Sequence, residues 1–567
     1  MGEAIQLSKE IDSTPEIPAI GVFATCDPRV DEKSRVRAVN IVKMAAEKIA
    51  KDEKLNAKVV YSPILVDGER EADSVAKQFR KEGVTVLVCV PDTWAFPQLG
   101  LLSLLAHFPQ NTPLNLTCGN SGPKPGVVFV HAASGALSQS GRLVHINVGN
   151  WPDTGMKPEM SDKTERALID WCYAAITTVG LRGRRIVIWG HDSMGMETAL
   201  AHIIPTRKTF GIEITRLDMK LLADMLKKGA YNKKELNELR AWIDNHIGNR
   251  LELRNDVDSE RFNQSLAMYL ITRDTMKELS AVGGGFMSQL EWGSDNRGIP
   301  LPVADVMESL FNSTFDHNGS KTPLPYATEA DVQGLLTMLF FTHLTGGNPP
   351  LFMDFRKVWE PWEIKELAER IGTKLDGNTL WEEKGLVDGN NSGSASFDWA
   401  ERPGEAVERI MSKISMPLVE ECYFPGGGNS VHFITPAGIE GVAGRLAYSS
   451  LNNRFSLIWD EAVTVEPPPE LCKAMCKLTT PTWPHTFIVP KYASMGEYKQ
   501  FAPANHFHMV WGLKPARLQY WMDLTGLISA TPWEARPCFI EGVDRPQPLI
   551  HIINGGENET KRLLPTG

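Results

Sequence analysis

The chain has 567 residues, enough for two to four domains at about 150 residues each. Hydrophobic residues make up 42% and charged residues 23%, ordinary globular usage that excludes a fibrous or largely disordered chain. The 59 Lys and Arg against 69 Asp and Glu leave a net charge of −10; with no long basic run, this argues against a nucleic-acid partner, whose binding rests on neutralised phosphates.

The polar start MGEAIQLSKE lacks the apolar core of a secretory signal, and Gln6 stands where N-myristoylation wants Ser or Thr. Residues 19 to about 177 alternate apolar runs (Ala19–Thr25, Ala57–Tyr61, Val84–Val90) with helical patterns over Glu32–Lys51 and Glu69–Lys81. That βαβα order predicts a parallel sheet covered by helices. A second unit begins near residue 178. It reads as strand Arg185–Trp189, a turn through Gly190–Gly195, helix Met196–Ile203, strand Gly211–Thr215, and helices at 217–228, 233–246 and 258–281. Beyond the glycine run Gly283–Gly285, helices follow near 303–312 and 329–344. From about residue 345 the texture changes. After strand Pro350–Phe355, short β-like runs alternate with Gly, Pro and Asn: Gly428–Thr435, Gly438–Tyr448, Phe455–Trp459, Thr486–Val489 and Phe507–Trp511. The predicted fold class is α/β: two α/β domains, 1–177 and 178–344, then a β-rich barrel or sandwich over 345–567.

No apolar stretch approaches the ~20 residues that cross a bilayer, so no membrane partner is expected. The eight cysteines are scattered, several in apolar runs, and read as free buried thiols of a reducing cytoplasm. Cys472 and Cys476 lie four apart on a predicted helix, with no second pair to complete a zinc site.

The turn Gly190-His191-Asp192-Ser193-Met194-Gly195 has one residue too many between Gly190 and Ser193 for a hydrolase nucleophile elbow; it reads as a loop lining a cleft. Gly283–Gly285 and Gly426–Gly428 lack the spacing of a dinucleotide fingerprint and read as tight turns with close backbone approach. The carboxylates carry more chemistry. Thr328 is a predicted helix N-cap with Asp331 three residues on, which places Glu329 in the first helical turn. Asp354 follows the apolar run Pro350–Met353, and a carboxylate there must be paired, hydrogen-bonded or on a metal. His506 and His508, two apart, share one face of a predicted strand. Two carboxylates and an imidazole suit Mn²⁺, Fe²⁺ or Zn²⁺; taken singly, a helix-dipole Glu, a salt-bridged Asp and a satisfied core His are the commoner explanation.

At this constellation the chain resembles the L-fucose isomerase family. The likeness is carried by Ala327-Thr328-Glu329, by Met338-Leu339 with His343 and Leu344-Thr345-Gly346, and by Phe352-Met353-Asp354-Phe355-Arg356. Asn312–Asp316 with Asn318-Gly319, Asn391–Ala395, Phe424 with Gly426–Gly428, Thr482-Trp483-Pro484 and Ala504-Asn505-His506 match in the same order. The resemblance implies two Rossmann-like α/β domains, a β-rich C-terminal domain and a cytoplasmic homohexamer. It also implies a Mn²⁺-dependent aldose–ketose isomerase acting on L-fucose and D-arabinose through an ene-diol. Carried over by position, Glu329, Asp354 and His506 match the metal ligands, Glu329 and Asp354 the catalytic pair. Arg29, Trp94, Gln289, Tyr423, Trp483 and Asn505 match sugar contacts, with Arg29 and Trp94 expected to serve a neighbouring subunit. An isomerase for another pentose or deoxyhexose fits the same residues; a non-catalytic sugar-binding protein leaves the trio without a purpose.

Overall fold

The computed structural model describes residues 17–120, 126–149, 155–191, 195–287, 301–390, 395–420, 423–451 and 453–529. Its first sheet comprises β1 (Ala19–Phe23), β2 (Lys58–Tyr61), β3 (Val84–Cys89), β4 (Leu114–Gly119) and β5 (His145–Gly149). All are parallel, in the doubly wound order β2-β1-β3-β4-β5. Alternate residues of β3 feed two cores. Val86 and Val88 pack with Ile41, Val42 and Ile49 of helix Glu32–Ala50. Leu87 and Cys89 pack with Val75 and Phe79 of helix Glu69–Lys81. A parallel strand covered on both faces needs such a continuous apolar run.

The second domain holds β6 (Arg185–Trp189), β7 (Glu213–Leu217), β8 (Ala281–Phe286), a short hairpin of β9 (Phe315–Asp316) and β10 (Gly319–Ser320), and β11 (Tyr326–Ala327). Its parallel sheet runs β11-β8-β6-β7. Gly283–Gly285 form no turn: they lie within β8. A Cβ on Gly284 would stand 2.7 Å from the Tyr326 ring and 2.8 Å from the Val187 carbonyl, so these glycines let neighbouring elements approach closely. The helix expected at Met196–Ile203 begins only at Ile203, after a short turn at Glu197–Ala199. The intervening Thr198 and Leu200 carbonyls accept instead from the Arg445 and Gln333 side chains.

In the third domain β12 (Leu351–Trp359), β13 (Leu386–Asn390), β14 (Glu440–Ser449), β15 (Arg454–Val465), β16 (His485–Pro490) and β17 (His506–Trp511) pair antiparallel in a closed circuit. The domain is therefore a barrel and not a sandwich; closure removes the exposed edges. A last strand, β18 (Ile528–Ser529), adds in parallel to β15. Gly428–Thr435 forms isolated bridges to its neighbours and no strand, and it leaves a tight turn in which Gly427 and Gly428 have φ of 66° and 105°. Helix Pro515–Thr525 packs back on helix Asp162–Gly180 of the first domain, where Arg517 Nε donates to Asp170 at 2.7 Å. Among the described residues no helix is long and apolar enough to cross a membrane. The six described cysteines are free and buried.

Candidate metal centre and active site

Helix Val332–Leu344 is apolar on every side, and all its residues except His343 are buried, as suits a helix wedged between the second sheet and the barrel. Its N-cap is Asp331 and not Thr328: Asp331 Oδ1 accepts the Gly334 N–H at 2.9 Å. Glu329 accordingly lies outside the helix, in a left-handed turn with φ 58°, followed by Ala330 at φ 51°. Such backbone costs about 1–3 kcal/mol per residue and concentrates at functional sites. The turn follows β11 at the carboxyl edge of the second sheet, where open α/β sheets bind ligands.

The barrel supplies the facing groups. Register sets His506 of β17 opposite Asp354 of β12, and His508 opposite Phe352. The Phe352 ring packs on both imidazoles, at 4.6 and 4.8 Å. His506 Nδ1 lies 2.8 Å from Asp331 Oδ2. Its Nε2 lies 3.1 Å from Glu329 Oε2, an ion-pair contact, and makes no hydrogen bond. Burial alone would lower the imidazole pKa; the Asp331 and Glu329 carboxylates outweigh it and raise it to about 9.

Burial raises the Asp354 carboxyl above the ordinary carboxylate range, and His506 and Arg356 pull against it. The Asn505 side chain hydrogen-bonds Asp354, Arg356 Nη2 lies 3.4 Å from Asp354 Oδ2, and the Arg356 guanidinium covers the Trp483 ring at 4.7 Å. Asp354, Arg356 and Trp483 therefore form one continuous wall. Burial lifts Asp305 to about 7; a 2.6 Å hydrogen bond from Ser430 opposes the effect and the charge of Glu329 adds to it.

Glu329 and His506 are thus side by side, with Asp354 across the strand pair. Among the described residues, no three His, Cys, Asp or Glu side chains stand together as a ready cage for an ion. The donor set nonetheless fits a divalent cation, because a buried imidazole nitrogen that makes no hydrogen bond faces a carboxylate and a second carboxylate shares its strand face.

The remaining predicted residues scatter. Asn505 touches Asp354 and, at 3.7 Å, Met196 Sδ. Trp483 is buried against Phe424, Val303 and Val419. Tyr423 is 57% exposed. Arg29 pairs with Asp27 and covers the Phe96 ring, which Trp94 meets edge-on, so these residues form their own cluster at the ends of β1 and β3. Gln289, and Asp192–Met194 of the glycine-flanked turn, lie outside the described residues. Sequence reasoning missed Asp305, Arg356 and Arg445 as neighbours of the site. It also took Asp331 for a capping-box partner, although a charge immediately before an all-apolar helix was a legible sign of an N-cap.

Family models for the first and second N-terminal domains of L-fucose isomerase match residues 17–183 and 185–346. The L-fucose isomerases of Escherichia coli strains SMS-3-5 / SECEC and O127:H6 (E2348/69 / EPEC) are each 26% identical to this chain over 536 residues, covering 85% of it and 86% of their own length. With these matches the chain is an aldose–ketose isomerase. It belongs to the L-fucose isomerase family.

Proposed function

We propose that this protein is a cytoplasmic, Mn²⁺-dependent isomerase that interconverts L-fucose with L-fuculose and D-arabinose with D-ribulose. The observation that carries the metal reading is the buried Nε2 of His506, which makes no hydrogen bond and faces the Glu329 carboxylate. Glu329, Asp354 and His506 would hold the ion, whose charge polarises the sugar carbonyl and favours ionisation of the neighbouring hydroxyl. The residues do the proton work. One of Glu329 and Asp354 would remove the C2 proton to give an ene-diol and return it to C1, the other would move a proton from O2 to O1, and they exchange roles in reverse. Burial keeps the Asp354 carboxyl more basic than in water, which suits it to proton transfer. Trp483 offers an apolar face to the sugar carbons, while Asn505 and Gln289 hydrogen-bond hydroxyls and Tyr423 borders the pocket. Arg29 and Trp94 complete the site of a neighbouring subunit in a homohexamer.

The test is to assay metal-stripped protein, with and without Mn²⁺, on L-fucose, D-arabinose and L-arabinose. The expected result is ketose from the first two sugars only when Mn²⁺ is present. Conversion of no aldose with Mn²⁺ supplied overturns the reading.

A further inference from the structure

We infer that Asp331 and Arg445 are positioning residues for His506: they fix its ring so that Nε2, and not Nδ1, is the nitrogen offered to a divalent cation. The inference rests on the metal reading above. Asp331 Oδ2 stands 2.8 Å from His506 Nδ1. A carboxylate only accepts, so this ring nitrogen carries the proton. The opposite nitrogen is left facing Glu329. A carboxylate behind an imidazole is the arrangement that sets tautomer, orientation and basicity in metal-binding histidines.

Asp331 cannot turn away. Its Oδ1 accepts both the Gly334 N–H at 2.9 Å and Arg445 Nη2 at 2.9 Å, and its Oδ2 also receives Arg445 Nη1. Arg445 is fixed in turn. Its Nη2 donates to the Thr198 carbonyl at 2.8 Å, and its Nη1 lies 3.2 Å from His508 Nε2. A guanidinium nitrogen only donates, so His508 Nε2 accepts from Arg445. The pair is sealed from water, with Asp331 0% and Arg445 1% exposed.

The backbone makes room for this cluster. A Cβ on Gly334 would stand 2.5 Å from Asp331 Oδ2, and 2.7 Å from both Arg445 Nη1 and His508 Nε2. The ladder between β14 and β17 also ends at Gly444 and His508, one residue before Arg445, so the guanidinium enters where the two strands part. Thr198 belongs to the second domain, so Arg445 ties the barrel wall to that domain while bracing the carboxylate behind His506.

Asp331→Asn keeps a good N-cap but strands the Arg445 charge in the interior and can unfold the protein. The decisive variant is therefore Asp331→Asn with Arg445→Met, which removes both charges. Mn²⁺ is titrated into metal-stripped full-length protein, with bound ion counted by electron paramagnetic resonance. Nitrogen modulation of the spin echo reports a coordinated imidazole. The double variant is expected to melt near the wild-type temperature, to bind Mn²⁺ about ten- to a hundred-fold more weakly, and to lose the nitrogen modulation, which a merely structural pair would not affect. Gly334→Ala deletes no polar group but crowds Asp331; it should weaken Mn²⁺ binding too, and it gives the answer if the double variant does not fold. Wild-type affinity and intact modulation in these variants overturn the positioning role and leave the metal reading standing. Failure of the wild-type protein to take up Mn²⁺ overturns both.

Discussion

The first parallel sheet and the C-terminal barrel are buried to a similar degree, yet they enclose different chemistry. In the sheet, Val86, Leu87, Val88 and Cys89 of β3 are fully buried and apolar. Such burial stabilises by about 25 cal/mol per Å² and depends on no particular partner. In the barrel, β17 carries two buried histidines, and His485 of β16 meets Asp388 of β13 at 2.9 Å with both side chains 0% exposed. A buried pair contributes little net stability, but loss of one member leaves an uncompensated charge. The apolar core around β3 therefore tolerates change in proportion to the volume removed, whereas the barrel's paired histidines hang on single polar atoms.

The widest separation between the two regions should appear in activity. Glu329→Gln is expected to lower turnover at least about a thousand-fold, the scale of a lost acid–base group, while the melting temperature stays within a few degrees. Mixed oligomers of Glu329→Gln and Arg29→Ala subunits should recover activity; none recovered would count against a site shared between subunits.

Next comes the pH response of the buried pair. Burial would lower the His485 pKa, but Asp388 outweighs it and lifts the imidazole from its ordinary 6.5 to about 10. The folded state thus holds this proton more tightly than the unfolded chain does. The stabilisation is full below about pH 6.5 and is lost as pH rises toward 10. Asp388→Asn should cost about 3–5 kcal/mol near neutrality and abolish this slope in urea denaturation run from pH 6 to 10. An unchanged slope would show that the pair does not govern it. The smallest effect belongs to the sheet: Val88→Ala should cost about 2 kcal/mol, with a stability curve parallel to wild type at every pH.

The same contrast explains what the sequence made legible. Helix Glu69–Lys81 was expected at those very residues, and strand Arg185–Trp189 likewise, because period and apolar pattern alone specify them. The site was legible as a set of residue types and a family likeness, but not as geometry. Glu329 read as helical because Thr328 with Asp331 three residues on resembles a helix-start pair; in the structure Asp331 is itself the cap, so the helix begins after it and Glu329 falls in a left-handed turn. Met196–Ile203 read as a helix because local propensity does not reveal that the Thr198 carbonyl is claimed by Arg445, far along the chain. Gly283–Gly285 read as a turn because glycine permits one, while the crowding that requires glycine comes from Tyr326 and the Val187 carbonyl. In each case a local pattern is overruled by a specific partner: a neighbouring carboxylate for Glu329, the barrel's Arg445 for Thr198, and strands of the same sheet for the glycines.

Two carboxylates and one imidazole are proposed to serve a single cation. Anomalous diffraction from crystals grown with Mn²⁺ tests this most directly. The expected result is one peak within bonding distance of Glu329, Asp354 and His506 Nε2, with Asp331 still on Nδ1. A peak elsewhere, or one that leaves Asp354 turned to Arg356 and His506 unbound, would contradict it.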